Sequence, residues 1–193
     1  MRTVVFFFNH RDVSPCFTWA NGQISATGGL LRTMLAPVAI TETFSVTSAL
    51  SRDDYAQAAK LGFGMVVSLL PDGEKPDALT SAQAMQTATE AGMAFAHVPT
   101  ATYEVFADET VGALRRILAQ TPGPVLAMCS SGQRAAIVWA AATARAAPVG
   151  HVLDKLAKAG FDLAFLRDDL EAQAHRETWQ GAEGQPATTL VAA

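Results

Sequence analysis

From residue 44 onward the chain alternates short apolar runs with longer segments whose apolar positions recur at helical spacing. Phe44 to Thr47 reads as a short strand. Ser51 then caps a helix, with Asp54 at its third position, Tyr55, Ala58 and Ala59 on one face, and Gly62 as its stop. Met65 to Leu70 is an apolar run of strand length, which suits a strand covered on both faces of a sheet. A loop of turn formers, PDGEKPD, follows. Thr80 or Ser81 caps a second helix ending at Gly92, and Met93 to Val98 makes the next strand, closed by Pro99. A third helix starts near Asp108, carries Val111, Leu114, Ile117 and Leu118 on one stripe, and stops at Thr121-Pro122-Gly123. Pro124 to Met128 is the last strand. The helix after it, RAAIVWAAATARAA, is apolar nearly all round and therefore central, and two amphipathic helices, Val149 to Ala159 and Asp162 to Ala174, finish the pattern.

Strands alternating with helices predict an α/β domain with a small parallel sheet of about four strands, flanked by helices through right-handed crossovers. Residues 37–175 form this domain. Residues 1–36 show no period of useful length and read as an extension, either packed loosely on the domain or arising from the choice of start site. Residues 176–193 are polar, rich in Gly and Ala, and read as a flexible tail.

Composition narrows the function classes. A chain of 193 residues, 50% hydrophobic and 17% charged, has the material for one core and is not a disordered protein. Alanine makes up about a fifth of it, which favours helices and close packing. A net charge of −4, with no basic run beyond Arg115-Arg116, leaves no footprint for nucleic acid. The strongest early apolar run, Val4 to Phe8, is broken by Asn9, His10 and Arg11, so it neither spans a membrane nor serves as a signal peptide. Arg2, Arg11 and Arg32 hint at a mitochondrial-type address, but no amphipathic helix accompanies them. The two cysteines, Cys16 and Cys129, lie in segments of different character, which argues against a bridge and for a reducing, cytoplasmic setting. The histidines and Cys16 show no metal-ligand spacing, and no cofactor is implied.

In open parallel sheets ligands bind beyond the carboxyl ends of the strands, which singles out the loops 71–77, 99–107 and 129–134. The third carries the chemistry. A strand delivers Cys129, Ser130 to Gln133 turn the chain, and Arg134 opens an apolar helix. The inward N–H groups of such a turn form an anion nest, and the helix dipole with a nearby guanidinium favours the Cys129 thiolate as a nucleophile. Gly132 relieves the tight turn, and Arg134 can hold two oxygens of a phosphate, sulfate or thiosulfate group at once.

Strand, Cys, short Gly-containing loop, Arg and helix resemble the signature loops of cysteine phosphatases and rhodaneses. The longer stretch FSVTSALSRDDYAQAAKLGFGMVVSLLPDGE, then AFAHVPT, then TPGPVLAMCSSGQRAAIVWA, resembles the bacterial phosphatase-like domain of the β-lactamase-hydrolase-like family, over roughly residues 38–145. The resemblance implies a fold like that of dual-specificity phosphatases, Cys129 as nucleophile and Arg134 as oxyanion clamp, with Ser130, Ser131, Gly132 and Gln133 binding the anion. Members of this family carry both phosphatase and sulfurtransferase labels. The sequence departs from the phosphatase pattern at several points: four residues rather than five separate Cys129 from Arg134, Ser130 stands where the family usually has Arg, and Ala135 replaces a hydroxyl residue. Met128 stands where an aromatic residue or His is common. The position where phosphatases of this fold usually carry a general acid falls near Pro99 and Thr100, neither of them a carboxylate. Asp72, which matches the family, is the favoured acid, ahead of Glu104 and Asp108.

Blander readings stand beside these. Cysteine is often simply buried, Arg134 could bond carbonyls at a helix start, Asp72 in Pro-Asp-Gly could be only a turn former, and His97 reads as half-buried and structural. Three functions remain open: a hydrolase forming a thiophosphate on Cys129, a sulfurtransferase carrying a persulfide there, and an anion-binding module without turnover. The partners they imply are a small-molecule or phosphoprotein substrate and, for the second, a persulfide-handling protein.

Overall fold

Alternation of buried side chains decides the sheet. Val125, Ala127 and Cys129 join the core on one face, and Leu126 and Met128 the core on the other, all five at 2% exposure or less. A strand buried on both sides belongs in the middle of a sheet covered by helices on both faces, and the computed structural model of the chain places it there. The structure describes residues 18–20, 23–25 and 35–183, with side chains in 35–176. The chain divides into two compact units, Met1–Met34 and Leu35–Ala193.

In the first unit, β1 (Thr18–Ala20) and β2 (Gln23–Ser25) pair antiparallel, with Trp19 opposite Ile24. Three-residue strands are too short for a readable period, and none was expected here. Apart from residues 35 and 36, which fall in the second unit, the rest of the predicted extension, Cys16 included, lies outside the described residues.

In the second unit the elements run β3 (Val38–Ala39), β4 (Phe44–Thr47), α1 (Arg52–Lys60), β5 (Met65–Ser68), α2 (Ser81–Glu90), β6 (Ala94–His97), α3 (Asp108–Gln120), β7 (Val125–Met128), α4 (Gln133–Ala144), α5 (Val149–Lys158) and α6 (Arg167–Glu183). The sheet has five strands in the order β3-β4-β7-β5-β6. The last four are mutually parallel, and β3 adds an antiparallel edge with Val38 opposite Val46. The fold is therefore α/β, a mostly parallel sheet flanked by helices, with one strand more than expected. β3 is two exposed residues long and carries no pattern.

The start signals act as expected. The Ser51 N–H and hydroxyl both donate to Asp54, at 2.8 and 2.7 Å. Thr80 and Gln83 exchange a reciprocal pair of bonds at the start of α2. The helix α4 is buried on nearly every side, from Ala135 to Ala144, and Trp139 stacks on Phe44 with ring centres 5.9 Å apart. The end of the domain differs from expectation. Residues 164–166 form a short 3-10 turn, α6 starts at Arg167 rather than Asp162, and it runs past Arg176 to Glu183. Residues 184–193 of the predicted tail lie outside the described residues. Among the described residues no helix is long and apolar enough to cross a membrane.

Candidate active site

β7 is the last strand in sequence but lies between β4 and β5, so the strand order reverses around it. Crevices open at the carboxyl ends of strands where the order reverses, and Cys129 is the residue that leaves β7 at that end. Its thiol is fully buried and unbridged. The backbone fixes it from two directions: the Cys129 N–H reaches the Thr47 carbonyl at 3.4 Å, and the Gly132 N–H donates to the Cys129 Sγ at 3.1 Å.

Gly132 is required where it stands. It holds φ at +89°, and a Cβ there would lie 3.4 Å from the Thr47 carbonyl carbon and oxygen. It is also the residue immediately before α4, so the turn directs the sulfur to the amino end of a well-buried helix. Ser130, Ser131 and Gln133 are exposed around this turn.

Arg134, the second residue of α4, is only 10% exposed along its side chain. One terminal nitrogen donates to the Leu69 carbonyl at 3.4 Å, and the other donates to Glu74 at 2.8 Å. Leu69 follows β5 and Glu74 belongs to the 71–77 loop, so the guanidinium joins the first and third predicted loops of the sheet edge. Glu74 was not expected in the site. Nothing local in the sequence links it to an arginine sixty positions away.

The three candidate acids occupy different settings. Both Asp72 oxygens accept bonds from Ser81 at 2.7 Å, one from the backbone N–H and one from the hydroxyl. These bonds to Ser81, side chain first, hold the exposed Asp72 carboxyl below its ordinary range, His97 adds a smaller pull, and desolvation only partly opposes them. Asp72 thus does more than form a turn, because it ties the loop to the start of α2. Glu104 accepts the Ala101 N–H at 3.0 Å in the 3-10 turn 102–104. Asp108 pairs with Arg145 and, at 2.9 Å, with Arg176. Desolvation works to raise the Asp108 carboxyl, but the bonds from Arg145 and Arg176 outweigh it and hold it low. Arg145 also bonds Gln173, which reaches the Phe106 carbonyl at 3.0 Å, so Asp108 belongs to a tie among α3, α4 and α6. His97 is half-buried and bonds the Leu70 carbonyl at 3.0 Å.

An open groove of about 630 Å³ lies between α3 and the end of α4, lined by Arg115, Arg116 and Arg145 among others. None of residues 129–134 lines it, and Arg145 is already paired with Asp108.

The mostly parallel sheet that delivers Cys129 into a turn at the start of α4, with Arg134 following, is a cysteine-phosphatase-like fold. Residues 38–146 match the sequence model of the β-lactamase hydrolase-like protein, phosphatase-like domain, and the chain belongs to this family. A β-lactamase hydrolase-like protein from Xylella fastidiosa is 28% identical over 138 residues, which take in 72% of this chain. The chain spans only 28% of that relative's length. The solved structure of a candidate phosphatase from Neisseria meningitidis superimposes with a TM-score of 0.63 at 27% identity, covering 70% of this chain and 96% of that one. A kinase-associated phosphatase with its catalytic-site cysteine replaced by serine shares the fold at a TM-score of 0.58 and 12% identity, covering 74% and 94% of the two chains.

Proposed function

We propose that this phosphatase-like domain is a cysteine-dependent hydrolase that cleaves a phosphate ester through a thiophosphate on Cys129. The observation that carries the reading is the Gly132 N–H aimed at the Cys129 Sγ at 3.1 Å, at the amino end of α4. A donor in that position stabilises negative charge on sulfur, which is what a nucleophile needs. The thiolate attacks phosphorus, forming an S–P bond as the ester P–O bond breaks, and the leaving oxygen takes a proton from Asp72 or from water. Water then attacks phosphorus, the S–P bond breaks, inorganic phosphate leaves and Cys129 returns as the thiolate. The proton released by that water passes to the Asp72 carboxylate or to solvent. Arg134 and the N–H groups of Ser130 to Gln133 hold the phosphoryl oxygens through both steps. The substrate is a small molecule or a phosphoprotein.

A second reading draws support from Asp72. Its oxygens are both engaged by Ser81 and its carboxyl is held low, so little of it is protonated near neutral pH. Sulfur transfer needs no such acid. There the Cys129 thiolate attacks the outer sulfur of a thiosulfate-type donor, a new S–S bond forms as the donor's breaks, and sulfite leaves. The persulfide then gives its outer sulfur to a thiolate of a persulfide-handling partner or to cyanide.

Aryl-phosphate hydrolysis and thiosulfate-to-cyanide transfer, each with wild type and Cys129→Ser, separate the readings. Hydrolysis lost in the variant supports the first. Hydrolysis that survives the substitution overturns it, and transfer activity in wild type alone favours the second. Inactivity in both assays with phosphate still bound leaves an anion-binding module.

A further inference from the structure

A largely buried arginine needs compensation for its charge, and in this structure Glu74 supplies it. The ion pair measures 2.8 Å, with Arg134 10% and Glu74 32% exposed, so the guanidinium is the more deeply buried partner. Asp72 anchors the loop to Ser81, and two residues further on Glu74 reaches across to Arg134. Glu74 is thus delivered from outside the anion loop, on a segment that is exposed from Asp72 to Asp77.

An anion bound at 129–134 would share the Arg134 guanidinium with this carboxylate. We propose that Glu74 is the internal counter-anion of the clamp: it occupies Arg134 when the site is empty, and its charge opposes every phosphate, sulfate or thiosulfate group that enters. The inference rests on the reading of residues 129–134 as an anion loop. Its consequence is weak holding of the anionic product. A buried cation with no partner is costly, so without Glu74 an incoming anion gains the compensation the carboxylate now provides. With Glu74 in place, like-charge repulsion at close range loosens the bound anion and favours release of inorganic phosphate. Glu74 in this account is a positioning and tuning residue that acts through Arg134.

The test uses the full chain as wild type, Glu74→Gln and Glu74→Asp. Gln keeps the shape and the hydrogen bond from Arg134 and removes only the charge, whereas Asp keeps the charge. Inorganic phosphate binding is measured by calorimetry, and its effect on Tm by thermal unfolding. KM and kcat are measured with an aryl phosphate. Glu74→Gln should bind phosphate on the order of tenfold tighter, the scale of one nearby like charge removed. It should lower KM and kcat together, and it should gain more Tm from added phosphate than wild type does. Glu74→Asp should stay near wild type in phosphate affinity. A role in loop stability alone would lower Tm in the phosphate-free protein and leave phosphate affinity unchanged, and that result overturns the proposal. Weaker phosphate binding by Glu74→Gln overturns it as well, because it makes the carboxylate an aid to binding. If wild type itself binds no phosphate or sulfate, the anion-loop reading has failed first, whatever the variants do.

Discussion

The two loops that meet at Arg134 are built in opposite ways. The 129–134 loop is set by backbone: a buried strand delivers Cys129, the Thr47 carbonyl receives its N–H, and a glycine at φ +89° donates its own N–H to the sulfur. The 71–77 loop is exposed, and its charged groups are placed by side-chain bonds, Asp72 to Ser81 and Glu74 to Arg134. Backbone placement fixes Cys129, the proposed nucleophile, whatever the solvent does. Side-chain bonds place Asp72 and Glu74, the proposed acid and counter-anion, on an exposed segment. Under the proposed mechanism the first loop holds the chemistry that must be preorganised, and the second the chemistry that must change during turnover.

The bluntest way to break this comparison is Cys129→Ser, which should abolish aryl-phosphate hydrolysis by on the order of a thousandfold or more, measured as kcat/KM. Next comes Asp72→Asn. Asn can still accept from Ser81, so the loop stays anchored while the proton donor is lost. Alkyl phosphates, with poor leaving groups, should lose on the order of a hundredfold in rate, and aryl phosphates much less. The same comparison has a pH signature. Ser81 holds the Asp72 carboxyl low, so its protonated fraction grows as pH falls, and the wild-type ratio of alkyl to aryl rates should rise toward acid. That rise should vanish in Asp72→Asn. The anchoring of α2 follows the opposite sign: it is intact above the ordinary carboxylate range and is lost as pH falls through the lowered value.

Gly132→Ala tests the backbone-set loop. Forcing a side chain into the left-handed region costs about 1–2 kcal/mol, with the added Cβ in contact with the Thr47 backbone at 3.4 Å. Thermal unfolding should show the loss of stability, and hydrolysis should drop roughly tenfold as the N–H leaves the sulfur. The smallest effect is expected at Thr80→Ala, which removes one cap of α2 at about 1 kcal/mol while leaving the Asp72 to Ser81 bonds and the rate constants nearly unchanged.

Much of this was legible in the chain and some was not, for physical reasons. β4 and the caps of α1 and α2 lie where their local signals put them, because burial and capping are written within a few residues. The edge strand β3 has two exposed residues and no alternation to read. The late start of α6 reflects Leu163, which is buried in the core and draws residues 164–166 into a turn of their own. In the site, Cys129, Gly132 and Arg134 share one short motif and were visible together. Glu74 was not, since its partner is set by the crossover of the sheet, and Asp72 showed its turn chemistry but not its bond to Ser81. Asp108 stood among the candidate acids because its partners Arg145 and Arg176 are distant in sequence.

The central claim is that phosphorus is carried on Cys129, and intact-protein mass spectrometry after rapid quenching from an aryl phosphate tests it most directly. The account predicts an adduct of about 80 Da that maps to Cys129 and is absent from Cys129→Ser. No such adduct during turnover, or an adduct of about 32 Da from thiosulfate with none from the phosphate ester, would contradict it.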